Sequence, residues 1–414
     1  MKPFTPLTLP NGAVIPNRLA KAAMEENMAD QGHAPSDELI RLYQSWADGG
    51  VGLMITGNVM IDRRAMTGPG GVVLESEQFG ARFENWSRTA RSRGAHIWMQ
   101  INHPGRQMPA AMGQETLAPS AVSMDLGNFS RQFAAPRAMT EADIADVKQR
   151  FVRAAQLAEQ FGFTGVQIHA AHGYLISQFL SPITNKRSDR WGGSITNRAR
   201  LLVDVVNEVR QAVGKGFAVA VKLNSADFQK GGFSSEDARQ VVSMLNTLGV
   251  DLIELSGGSY EAPAMHGQTR DGRTLAREAY FLEFAKDIAT VASMPLMVTG
   301  GIRRYQVVEQ VLDSGSGIAM AGMGTALALD PQLPMAWRSN RLASPSLRAI
   351  TWKNKVLSSI AYMAMVKYQL RRLSQGKHTK PNVAPALALL IQQLETIVRN
   401  RQYRRRMNRH ALAA

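Results

Sequence analysis

Up to about residue 335 the chain switches repeatedly between short apolar runs and longer stretches with apolar residues three and four apart. Those are the periods of a buried strand and of an amphipathic helix. Two short alternating runs over 4–15, centred on Asn11-Gly12, predict a hairpin that closes the bottom of a barrel. Strands are then predicted at 19–24, 51–56, 96–101, 165–168, 217–223, 250–255, 295–298 and 318–321. Between them the spacing predicts helices over 36–48, 79–93, 140–161, 195–213, 234–248, 278–292 and 305–312. Ser36 is placed to cap the first, and Thr140-Glu141-Ala142-Asp143 resembles a capped start. Eight strands alternating with helices predict a (β/α)₈ TIM barrel, with a doubly wound sheet as the lesser alternative. Residues 108–136 keep no steady period and read as a long loop at a strand end, of the kind that covers a substrate.

Beyond Pro331 the pattern changes. Residues 352–373 are helical in spacing, Pro381-Asn382 interrupts, and an Ala/Leu-rich stretch over 386–398 runs into Arg399-Asn400-Arg401-Gln402-Tyr403-Arg404-Arg405-Arg406. Two units are expected: a barrel domain over 1–339 and a helical, strongly basic extension over 340–414. Charge sharpens that division. The net charge is +15, and from Asn340 onward 15 Lys and Arg stand against Glu395 alone, leaving 33 basic and 32 acidic residues before it. The basic end is expected to lie outside every strand end, as a solvated cationic segment, an oligomer-forming or barrel-packing helix, or a dock for acidic partners. No aromatic interleaving beyond Tyr403 supports nucleic-acid readout.

With 45% hydrophobic and 20% charged residues the chain can bury a sizeable core. No apolar run approaches the roughly 18 residues of a membrane span, and Met1-Lys2-Pro3-Phe4 does not open a signal peptide, so a soluble cytoplasmic protein is expected. The absence of cysteine excludes disulfides, thiol nucleophiles and Cys-ligated iron–sulfur clusters.

Candidate chemistry concentrates after the fourth predicted strand. Gly165-Val166-Gln167-Ile168 releases His169 and His172, followed by Gly173 and Tyr174, at the strand end where barrels bind ligands. Three readings are open for the histidines: structural residues, zinc ligands lacking a third partner at metal spacing, or N–H donors to a carbonyl or anionic oxygen beside a tyrosine proton donor. Gly300-Gly301 and Gly322-Met323-Gly324 follow strands seven and eight, where barrels commonly bind phosphate, although turns also explain glycines there. Gln100 and Lys222 close strands three and five. The amide could pair with a heterocycle edge, and the lysine could be an electrostatic cation or a Schiff-base amine.

The stretch HAAHGYLISQFLSP, with the N-x-R-x-D-x-x-G-G-S-x-x-N-R spacing of Asn185 to Arg198, resembles the signature of the Old Yellow Enzyme family of FMN-dependent oxidoreductases. The likeness recurs in Pro16-Asn17-Arg18-Leu19, in Gln100-Ile101-Asn102-His103-Pro104-Gly105-Arg106 and in Thr299-Gly300-Gly301-Ile302. It implies FMN across the barrel mouth, with Ala22, Ala23, Met24, Glu25, Asn58, Gln100 and Lys222 around its ring and Gly300, Gly301, Gly324 and Thr325 at its phosphate. It further implies ping-pong catalysis: NADH or NADPH reduces FMN, and an enone-like small molecule, an α,β-unsaturated carbonyl compound, takes the hydride at its β-carbon. His169 and His172 would then hold the carbonyl oxygen and Tyr174 would protonate the α-carbon. Longer relatives that relay electrons through an iron–sulfur cluster are excluded by the missing cysteines. Three positions depart from the family: Glu25 stands where Thr or Cys is usual, Thr325 where Arg often holds the phosphate, and Asn27 where some relatives carry a substrate-facing aromatic. The competing reading is a barrel that has lost catalysis and binds acidic partners through its basic end.

Overall fold

The computed structural model describes residues 2–264, 278–313 and 317–413. Eight parallel strands form its centre: β1 (Leu19–Lys21), β2 (Leu53–Ile55), β3 (His96–Asn102), β4 (Gly165–Ala170), β5 (Ala218–Asn224), β6 (Leu252–Ser256), β7 (Leu296–Val298) and β8 (Ile318–Met323). Each pairs with its neighbours in chain order, and β8 returns to β1 through Ala321↔Leu19 and Met323↔Lys21. A β2–β3 ladder, with Leu53 opposite His96 and Ile55 opposite Trp98, leaves no open edge. The closed ring decides for the (β/α)₈ barrel over the doubly wound sheet.

Helices α1 (Asp37–Asp48), α2 (Gly80–Ala90), α3 (Glu141–Gln160), α4 (Leu175–Leu180), α5 (Ile195–Ala212), α6 (Ser235–Leu245), α7 (Leu282–Ala289) and α8 (Tyr305–Asp313) connect the strands, with α9 (Thr325–Leu329) and α10 (Leu333–Arg338) after the last. Their starts follow local chemistry. Ser36 accepts from Leu39 N–H, while Thr140 with Asp143 and Ser234 with Asp237 form reciprocal capping boxes, each cap typically adding about 1 kcal/mol.

The hairpin pairs Leu7 with Ile15 and Thr8 with Val14. Its Leu7, Leu9 and Ile15 pack into the bottom of the barrel against Leu53, Trp98, Ala218, Leu252, Met297 and Met320. Asn11 fixes it there, its N–H donating to Asp251 Oδ1 at 3.0 Å and its amide to Gly216 O at 3.1 Å.

At the other end lies the C-terminal extension, whose helices are α11 (Lys355–Ser374) and α12 (Pro385–Ala413). Arg41 of α1 donates to Ser374 O, and Thr379 donates to Leu329 O, at 3.0 and 2.8 Å. The basic end does not stand clear of the strand ends. Arg399 donates to Asn27 O and Tyr403 to Arg63 O, each at 2.7 Å, and the Tyr403 side chain is buried against Met60, Met66, Val73 and Met108. Of the readings open for the basic end, the barrel-packing helix fits these contacts, whereas its placement outside every strand end does not, because the Tyr403 ring on the inner helix face buries against the barrel. No described helix is long and apolar enough to cross a membrane.

Candidate active site

Alternation along a barrel strand turns every second side chain inward, which is how single polar residues in apolar strands come to share one layer. Gln100 and Gln167 are directly opposite across β3 and β4, and Lys222 and Glu254 across β5 and β6. The resulting chain is continuous: Gln100 Nε2 donates to Gln167 Oε1 at 2.7 Å, Gln167 Nε2 to Glu254 Oε2 at 2.8 Å, and Lys222 Nζ to Glu254 Oε1 at 2.8 Å. All four side chains are buried. Lys222 is therefore an ion-paired ammonium, unlike the desolvated free amine that a Schiff base requires. Gln167 and Glu254 escaped the sequence reading because each is a lone polar residue in an apolar run. Their phase, shared with His169 and Ser256, was the available signal.

One layer higher, β4 delivers His169 and the turn after it delivers His172 and Tyr174. The rings of His169 and His172 lie 5.1 Å apart, and those of His169 and Tyr174 4.9 Å apart. His169 Nδ1 accepts from Ala171 N–H at 3.2 Å, which leaves the ring proton on Nε2. Burial and then the Lys222 charge hold His169 well below the usual histidine range, so it is a neutral donor. His172 adopts a left-handed backbone, φ 61°, fixed by its N–H to Asn224 Oδ1 at 3.1 Å, and places Nε2 2.7 Å from Ser256 Oγ. Tyr174 Oη lies 2.9 Å from Tyr260 Oη and 3.5 Å from Asn58 Nδ2. Burial, followed by the neighbouring Tyr260 and Glu25, raises its pKa well above the ordinary phenol, so Tyr174 keeps its proton. Among the described residues no three His, Asp or Glu converge as metal ligands.

These groups open onto a cavity of about 1390 Å³ at the C-terminal ends of the strands. It is lined by Ala22, Ala23, Met24, Glu25, Asn58, Gln100, His169, His172, Tyr174, Lys222, Gly300, Gly301, Gly324 and Thr325, which the sequence had singled out one by one. Asn27 is not among the lining residues: it has a left-handed backbone, φ 54°, and its carbonyl accepts from Arg399. The loop over 108–136 reaches the rim through Asp125, Leu126, Phe129, Gln132 and Phe133.

At the β7 and β8 ends bare backbone faces the cavity. Gly301 is left-handed, φ 73°, and a Cβ there would meet Tyr280 Oη at 2.5 Å. Thr325 Oγ1 accepts from Tyr362 of α11 at 3.0 Å. At the β1 end, the Glu25 carboxylate meets Lys367 of α11 at 2.7 Å, with side chains 19% and 7% exposed. Burial alone would raise the Glu25 pKa, but the Lys367 charge and hydrogen bond, together with hydrogen bonds from Thr67 and Asn27, outweigh it and hold the carboxyl below its usual range. Arg18 and Lys21, the cations nearest in sequence, do not reach Glu25. Lys21 turns outward to Glu26 at 2.8 Å, and Arg18 donates to Ala319 O and Thr5 Oγ1.

The model of the NADH:flavin oxidoreductase / NADH oxidase family matches residues 2–343. The chain belongs to this family. It is 37% identical over 350 residues to the NADH-dependent flavin oxidoreductase iliE of Hypocrea jecorina, covering 80% of this chain and 87% of that one. It is 32% identical over 337 residues to the NADH oxidase of Thermoanaerobacter brockii, covering 79% of this chain but 49% of the oxidase. Among solved structures, the old yellow enzyme homologue from Zymomonas mobilis superposes with a TM-score of 0.71 at 25% identity, covering 83% of this chain and 94% of the other. A 2-naphthoyl-CoA reductase complex gives 0.75 at 26% identity, covering 82% and 52%. This flavin oxidoreductase accordingly uses FMN, with NADH as reductant. Its cavity fits that cofactor: the Gln100 amide and Lys222 line the floor, small Ala22 and Ala23 line the β1 side, and side-chain-free backbone faces the space at Gly300 and Gly301.

Proposed function

We propose that this oxidoreductase reduces the activated C=C bond of an enone-like small molecule. The observation that supports this most is the grouping of a protonated tyrosine with two histidines above the polar floor of one cavity. Bound FMN would supply the hydride, received from NADH and delivered to the β-carbon of the acceptor. Gln100 and Lys222 would hold the ring, and the backbone at Gly300, Gly301, Gly324 and Thr325 would hold the phosphate. His169 Nε2–H and His172 would bind the carbonyl oxygen, drawing electron density from the alkene as charge builds on that oxygen. Tyr174 would give its proton to the α-carbon and regain one from solvent, with Tyr260 Oη, 2.9 Å away, as its hydrogen-bond partner.

The test is spectroscopic. Purified protein carries a yellow chromophore that NADH bleaches under anaerobic conditions and that 2-cyclohexenone restores with formation of the saturated ketone. Bleaching by NADH without restoration by any activated alkene would sink the ene-reduction reading. Protein that neither carries flavin nor reacts with NADH would favour the inactive binding barrel.

A further inference from the structure

We propose that Lys367, carried by a helix outside the family match, is a working residue of the flavin site. Through its ion pair with Glu25 it sets the charge beside the cofactor ring, so that the C-terminal extension determines the reducing power of the enzyme. The inference rests on FMN occupying the cavity.

Glu25 lies just past β1, on the cavity wall with Ala22 to Met24. One carboxylate oxygen is held by Lys367, its one cationic partner at ion-pair distance among the described residues, while Thr67 and Asn27 lie beside the carboxylate as neutral neighbours. A buried carboxylate left alone is strongly unfavourable, and removing one partner of such a pair leaves the other charge uncompensated. The sequence supplies the compensating cation from 342 positions away. The matched family region ends at residue 343, so the cation comes from a segment that the shared family pattern does not include.

The placement of α11 suits that task. Tyr362, Met363, Val366, Lys367 and Leu370 all line the cavity, and their three- and four-residue spacings keep one helix face toward it. Tyr362 bonds Thr325 after β8, and Lys367 bonds Glu25 after β1, so one helical turn and a half spans two adjacent strand ends. Asn354 caps the helix by accepting from Leu357 N–H, and Arg41 binds its last turn. Lys367 is thereby presented from a fixed support rather than from a loop.

Charge decides the direction of the effect. Two-electron reduction builds negative charge on a flavin ring. An ionised Glu25 alone would oppose reduction; an ammonium beside it cancels that opposition. Lys222 on the opposite wall is already matched by Glu254, so it does not cover Glu25 as well. A helix latch of no redox consequence is the competing account, and it predicts loss of stability without change in potential.

Anaerobic titration of FMN-loaded wild-type, Lys367→Met, Glu25→Gln and the double variant against a reference dye separates the two. Lys367→Met is expected to shift the reduced-to-oxidised ratio at fixed potential about tenfold toward oxidised, equivalent to about 30 mV for a two-electron couple. Glu25→Gln should shift it the other way, and the double variant should return toward wild type because no lone charge remains. Lys367→Met that keeps its flavin and shows the wild-type potential overturns the proposal. If Lys367→Met cannot hold FMN, the double variant decides: a bound flavin near the wild-type potential supports the charge pair, and failure there too reduces it to a latch. Wild-type protein without flavin would instead sink the cofactor reading itself.

Discussion

The hairpin over 7–15 plugs the bottom of the barrel with apolar side chains, Leu7, Leu9 and Ile15 against Trp98 and Met320. The extension covers the top with an ion pair, a tyrosine hydroxyl and an arginine, and leaves a cavity of about 1390 Å³ beneath it. Both segments lie outside the βα repeat and both seal the same ring of strands. The difference teaches what each closure is for. Apolar contact excludes water at a face where nothing happens, whereas charged and hydroxylic contacts keep a face where charge must move. Damage at the bottom should therefore register as lost stability, and damage at the top as altered chemistry.

The largest expected effect is at the top. Tyr174→Phe should slow reoxidation of reduced FMN by an enone by about 10² to 10⁴, while reduction by NADH proceeds as before. Stopped-flow traces of each half-reaction measure this; equal slowing of both would mean that Tyr174 positions FMN rather than donating a proton. The bottom is tested by Trp98→Ala, whose large, fully buried side chain should cost about 3–5 kcal/mol in denaturant unfolding. The FMN potential should stay unchanged in that variant, and a shifted potential would break the division between the two ends.

Acid sharpens the contrast. Burial lowers His103 to about 4 and holds His169 well below the usual range, and both residues belong to the top. The folded state keeps them neutral while the unfolded chain takes up protons near pH 6.5, so stability falls as pH drops from about 6.5 toward 4. Each histidine contributes about 1.4 kcal/mol per pH unit in that window. His103→Gln should flatten the profile by one such slope in pH-dependent chemical denaturation, and an unaltered slope would show that His103 is protonated in the native protein. The smallest effect is expected at the far end of the extension. Tyr403→Phe removes the hydrogen bond to Arg63 O and should cost about 0.5–1.5 kcal/mol, read as a lower melting temperature. An unchanged melting temperature would mean that ring burial alone, without this hydrogen bond, holds this end of α12.

Legibility followed the distance over which each feature is determined. The caps at Ser36, Thr140 and Ser234 act across three residues, and each was visible in the residue order or placed at a predicted helix start. The eight strands showed as apolar runs, but their closure was settled only by the β8–β1 pairing. His169, His172, Tyr174, Gln100 and Lys222 were recognisable because the family signature surrounds them. Glu254, Gln167 and Tyr260 were not, because a single polar residue in an apolar strand, or a tyrosine in a loop, acquires its role only when a neighbouring strand supplies the partner. Lys367 was least accessible of all. Its partner is Glu25, and nothing within α11 distinguishes it from the extension's other basic residues until the fold brings the two together. Asn27 is not on the cavity wall itself but stands behind it, beside Glu25.

The position of α11 in the chain also sets an order of events during synthesis. All eight strands have left the ribosome about 50 residues before α11 is complete, an interval of roughly 3–10 s at typical elongation rates of about 5–20 residues per second. The ring of strands can close in that time with its mouth uncovered, and Glu25 then faces water instead of an ammonium. The wall that carries Lys367 arrives afterwards. Growth of the chain thus completes the ring of strands first and the segment that roofs it second.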